Sequence, residues 1–138
     1  MPDDGLVSLR SVHSAQETIA RVVADLEAKG VTIFAKIDHA AGAAAAGLIL
    51  RPTTLLIFGG ARAGTPLMQA DQRAGIDLPL KALVWEDADS TVWLTYNEPA
   101  SIARRHALGP QIEPVVHAMS AMLAAVARNG TEAGPGTP

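Results

Sequence analysis

The sequence predicts a single α+β domain in which a mainly antiparallel sheet of about four to five strands is packed with helices. Three observations carry that prediction. Apolar residues recur at helical spacing in several segments; shorter alternating or β-branched runs separate them; and Gly, Pro and Asp signals mark the joins. A chain of 138 residues, 49% of them hydrophobic, is sized for one core, which we place at residues 1–128.

The first element is a helix opened by a capping box, Ser14 to Glu17, in which the Ser14 hydroxyl accepts from a backbone amide three residues on. Ile19, Val22, Val23 and Leu26 form its apolar stripe, and Lys29-Gly30 stops it. Val31 to Asp38 alternates, with Val31, Ile33, Ala35 and Ile37 on one face and Thr32, Phe34, Lys36 and Asp38 on the other, as a half-buried strand does. Asp38 then caps a short alanine-rich helix, His39 to Ala46, ended by Gly47. Thr53 to Phe58 is continuously apolar and β-branched, so it reads as a central strand covered on both faces.

Thr65-Pro66 has the form of a cap followed by proline at the first helical position, opening a helix through Ala74. Lys81 to Glu86 and Thr91 to Tyr96 make a β-hairpin around the Asp87–Ser90 turn. Pairing Glu86 with Thr91 puts Leu83, Trp85, Val92, Leu94 and Tyr96 on the core side. Pro99 to Leu108 is a helix interrupted by Pro110, and Ile112 to Arg128 is a last helix with a wide stripe of Val115, Val116, Met119, Met122, Leu123 and Val126. Residues 129–138 carry nothing that a core can bury and are expected to be a disordered tail.

Charge and composition exclude several function classes. Lys+Arg total 11 against 14 Asp+Glu, and aromatics are 4%, so neither a basic footprint nor stacking platforms are offered to nucleic acid. No segment reaches the ~20 apolar residues of a membrane span, and the first residues lack a signal-peptide pattern, so a cytoplasmic protein with no membrane partner is expected. With no cysteine, thiolate chemistry and Cys-ligated metals are absent. The four histidines, at 13, 39, 106 and 117, show no close ligand spacing, so no metal site is expected.

Phe58-Gly59, Gly64-Thr65-Pro66-Leu67-Met68, Asp77-Leu78-Pro79-Leu80-Lys81, Val84-Trp85-Glu86-Asp87 and Tyr96-Asn97-Glu98-Pro99, together with Ile37-Asp38-His39, resemble in order the pattern of the bacterial domain of unknown function 302 (DUF302) family. Gly60 stands where that pattern often has an asparagine after Phe-Gly. The resemblance covers Val12 to Leu108 and leaves the last helix outside. It implies a small α+β fold, commonly a homodimer, with no established reaction and no cofactor.

Candidate chemistry is confined to a few places. Gly59 and Gly64 have the outer-glycine spacing of a phosphate loop, but the lysine is missing and Pro66 takes the hydroxyl position that would hold magnesium. What survives is anion binding by backbone amides near Thr65, with Arg62 or Lys81 beside them. Polar residues at strand ends beside two helix starts predict a ligand cleft lined by Lys36, Asp38, His39, Thr65, Met68, Lys81 and Tyr96, taking a small, anionic molecule. The alternative is an enzyme using Asp38, His39 or Glu86 for proton transfer. A third reading is an interaction module built on the methionine-bearing last helix.

Overall fold

Leu6–Ser11 opens the regular structure as a strand, β1, which the sequence reading passes over, in a computed structural model that describes residues 4–133. Its signal is a short alternation, Val7 and Leu9 inward between Ser8 and Arg10, running straight into the first helix cap. That helix, α1 (Ala15–Ala28), starts where the Ser14 hydroxyl accepts from the Glu17 amide at 3.0 Å and ends before Gly30, whose φ of +73° favours glycine. Ala15, Thr18, Val22 and Leu26 are its buried stripe.

The chain continues through β2 (Thr32–Asp38), α2 (His39–Ala45), β3 (Thr53–Gly59), α3 (Ala61–Ala70), a 3-10 segment (Gln72–Asp77), β4 (Leu80–Glu86), β5 (Val92–Asn97), α4 (Pro99–Arg105), a 3-10 turn (Pro110–Ile112) and α5 (Glu113–Thr131). The strands form one antiparallel sheet in the order β1-β5-β4-β3-β2. One face carries Leu56, Phe58, Val84, Leu94 and Tyr96 against α1 and α5, which pack on each other. Each fully buried side chain of this kind contributes about 1.5–3 kcal/mol. The predicted fold class is therefore correct, with five strands in a single domain.

Five local expectations are corrected. The hairpin pairs Glu86 with Val92, not Thr91. A one-residue slip exchanges the faces of β4, so Ala82 and Val84 enter the core while Leu83 and Trp85 take the opposite face. The cause is Asp87, whose carboxylate accepts from the Asp89 and Thr91 amides and from the Trp93 indole, drawing Thr91 into the turn. Trp85 and Trp93 are then direct partners and stack with ring centroids 6.3 Å apart.

In β2 the alternation is broken by a bulge between Ile33 and Ala35. Phe34 is the surplus residue, so Ile33 shares a face with buried Phe58 while Ala35 and Ile37 pair with Ile57 and Leu55 on the other side. β3 is not covered on both faces: Thr54, Leu56 and Phe58 are buried, whereas Thr53, Leu55 and Ile57 are half-buried.

The third helix starts at Ala61, with Gly60 as its cap, four residues before the expected Thr65. Pro66 lies inside it, leaving the Arg62 carbonyl without its helical donor. Finally, α5 does not stop at Arg128. Its last carbonyls find donors: the Asn129 carbonyl accepts from Arg21 Nε at 3.1 Å, the Thr131 carbonyl from the Val12 amide at 2.9 Å. Gly130 and Thr131 are buried, so the expected tail cannot begin at residue 129; residues 134–138 lie outside the described ones.

Candidate functional site

At one end of the sheet the two layers part. The opening strand residues Thr32 and Phe34 form one wall, the Gly59-Gly60 exit of β3 and the first turns of α3 form the floor, and the first half of α5 closes the far side. Leu78 and Leu80, at the entry to β4, complete a cleft of about 1050 Å³. Such a volume lies within or just above the range typical of small-molecule sites.

The lining follows from the sequence locally. Gly59 and Gly60 carry no side chain into the floor, so the chain turns tightly from β3 into α3. Val115, Ala118 and Met122 share one face of α5 and line the cleft together with buried Met119. Met68 projects from α3 against Gly75, within 3.2 Å of where a Cβ on that glycine would lie. The three methionines Met68, Met119 and Met122 give the cleft polarisable, adaptable walls. Arg62 is the one charged lining side chain among the described residues.

Of the residues expected to meet in one cleft, the structure brings together only Thr65 and Met68. Asp38 pairs with Thr54, five residues along β3 from Gly59, which is roughly 17 Å away at the usual rise per strand residue. Asp38 is occupied as a helix cap, accepting from the Ala41 amide at 2.9 Å, and His39 is exposed. Lys36 lies exposed on the same distant half of β2. Lys81 belongs to the sheet face opposite the helices, where Nζ donates to the Pro79 carbonyl at 3.0 Å. Tyr96 is buried in the core, and desolvation pushes its phenol above the ordinary value.

Glu86 ends β4 beside the hairpin turn, away from the cleft. The expected amides near Thr65 are turned inward into the helix; the open donors of α3 belong to Ala61 and Arg62 instead. Sequence reasoning missed Phe34, Leu78, Val115 and Ala118 as lining residues. Their apolar character gave no site signal, and only the bulge and the α5 docking bring them together.

The sheet, its single helical layer and the apolar cleft at the layer's open end define a small α+β domain of sheet-and-helix type. The chain belongs to the domain of unknown function DUF302 family, whose profile matches residues 7–126 and so takes in most of α5, beyond the limit that the motifs suggested. The fold is similar to the crystal structure of an uncharacterized conserved protein DUF302 from Bacillus stearothermophilus, with a TM-score of 0.80, 16% identity, and 91% of this chain and 98% of that chain covered.

Two curated relatives, both called fluoride-specific ion channel FluC 1, come from Brucella suis biovar 1 (strain 1330) and Brucella abortus biovar 1 (strain 9-941). Each is 50% identical over 117 residues, 85% of this chain. The chain spans less than half of their length, 46% and 43%.

Proposed function

We propose that this domain binds a small, largely apolar molecule in the cleft between the end of β3, α3 and α5. The observation that carries the reading is the apolar, methionine-rich lining of a ligand-sized cleft with one cation, Arg62, at its rim. That cation, next to the open amides of α3, suits a molecule bearing one carboxylate or phosphate. The acid–base reading loses support, because Asp38, His39 and Glu86 lie outside the cleft.

The channel name of the Brucella relatives attaches to polypeptides of which the match fills less than half. No helix among the described residues is long and apolar enough to cross a membrane. The proposed activity therefore concerns the domain's own cleft.

The test is ligand-observed NMR with fatty acids, aromatic carboxylates and their neutral analogues, on the wild type and on Ala118→Trp. Ala118 is exposed on α5 and lines the cleft, so an indole there fills the cleft without entering the core. Saturable binding lost in Ala118→Trp supports the reading. Absence of binding across both series, or binding unaffected by the indole, overturns it.

A second reading, self-association, is favoured by one observation. Leu48 is 66% and Ile49 fully exposed, Leu50 follows them and is also exposed, and no charged residue occurs from Ala40 to Leu50. An uncharged apolar patch can meet its own copy about a two-fold axis without repulsion. The methionine-bearing last helix packs on α1 and β1 within its own chain, so this reading rests on the Leu48–Leu50 patch.

A further inference from the structure

Apart from the apolar cleft lies a recess of about 580 Å³, bounded by Gln72, Arg73, Gly75, Ile76, Arg105 and His106. Its organising group is Asp77. One carboxylate oxygen accepts from Arg105 Nη1 at 3.1 Å and the other from His106 Nε2 at 2.7 Å. Because a carboxylate can only accept, Nε2 carries the ring proton, and the imidazole is fixed in both tautomer and orientation.

The His106 side chain is only 9% exposed, yet its other nitrogen, Nδ1, has no protein partner and is not sealed from solvent. The ring lines the recess, and Asp77 takes only one of its two nitrogens. A tie between the 3-10 segment and α4 accounts for the Asp77 contacts, but it does not account for a nearly buried imidazole left open on one side. Two guanidiniums flank that opening. Arg73 is held to Asp71 at 2.9 Å and Arg105 to Asp77, each pair leaving further N–H donors directed elsewhere. With Lys81 Nζ 3.3 Å from the Asp77 carbonyl, three cations and an imidazole meet two carboxylates at this corner of a chain whose net charge is -3.

We propose that this recess is a binding site for a small oxyanion, a carboxylate or phosphate group, held by Arg73 and Arg105 and contacted by the Nδ1 edge of His106. The oxyanion supplies the acceptor oxygens that the spare guanidinium donors and, once protonated, Nδ1 require. Asp77 acts as the positioning residue. The site is separate from the apolar cleft and does not depend on the ligand proposed there.

The experiment follows the ring NMR signals of all four histidines in the full chain during titration with inorganic phosphate and, separately, acetate. Sodium chloride at equal ionic strength is the control. Expected is a saturable shift at His106 with phosphate, acetate or both, with His13, His39 and His117 unmoved. Half-saturation should rise about tenfold in Arg105→Gln and in Arg73→Gln, the loss of one charge-assisted contact. Arg73 is 84% exposed, so that variant keeps the fold and carries the test even if Arg105→Gln perturbs α4. A shift reproduced by chloride, no shift at His106, or titrations unchanged in Arg73→Gln overturns the proposal.

Discussion

Gly130 of α5 lies so close to Val22 of α1 that a Cβ on the glycine would fall 2.5 Å from Val22 Cγ2. The two helices meet there without room for a methyl group, and Val22 is fully buried. Gly130→Ala should therefore lower stability by about 1–2 kcal/mol, the overpacking cost less a small gain in helix propensity. Adding Val22→Ala should recover part of that loss, and denaturant unfolding of both single variants and the double variant measures the coupling. Additive losses would show that the contact is not the cause.

Among the described residues, the side chain that caps α1 is Ser14, through the 3.0 Å bond from the Glu17 amide. Ser14→Ala should cost about 1 kcal/mol in urea unfolding, and Ser14→Asp should keep most of the stability.

Two carboxylates are held ionised. Asp71 is drawn from the ordinary 3.8 to about 2, chiefly by the side-chain bond from Arg73. Asp87 is also lowered, first by the Trp93 indole and then by the Thr91 amide. A depressed folded-state pKa gives stabilisation that is complete above the unfolded value and is lost as pH falls through the folded one. The contribution of Asp71 should thus be intact at neutral pH and disappear between pH 3.8 and about 2. Carboxyl-carbon NMR titration checks this: Arg73→Gln should return Asp71 toward its ordinary midpoint, and Trp93→Phe should raise that of Asp87.

The Leu48-Ile49-Leu50 patch makes a separate prediction. If it joins two copies, light scattering should give twice the chain mass for the wild type and the single mass for Ile49→Asp. Because Ile49 is fully exposed, the folded domain itself should be unaffected. A wild-type monomer at high concentration would remove the self-association reading.

Helices with chemical punctuation were legible in the sequence. Ser14 and Asp38 cap where their side chains and positions announce it, and the α5 stripe of Val116, Met119, Leu123 and Val126 docks as its spacing requires. What was illegible depended on single-residue displacements. The hydrogen bonds of Asp87 move the hairpin register by one residue and exchange Val84 for Trp85 in the core. Thr65-Pro66 mimics a helix start, but Gly60 offers the chain an earlier one.

The candidate site was misplaced for a related reason. Asp38-His39 and the Gly59–Thr65 stretch both join strands to helices, but β2 and β3 are antiparallel, so those two junctions fall at opposite ends of the pair. The Asp77–His106 contact joins residues 29 apart, a separation that carries no sequence periodicity.

The extra residue at Phe34 has an effect beyond the strand that holds it. By interrupting the ladder at the sheet's outer margin it spoils that margin as a template for a foreign strand. It also frees an aromatic ring, 57% exposed, to overhang the mouth of the cleft. Deleting that one position would give a straighter, stickier border and a hollow without an awning, so protection from aggregation and a cover for the proposed ligand would both be lost with the same residue.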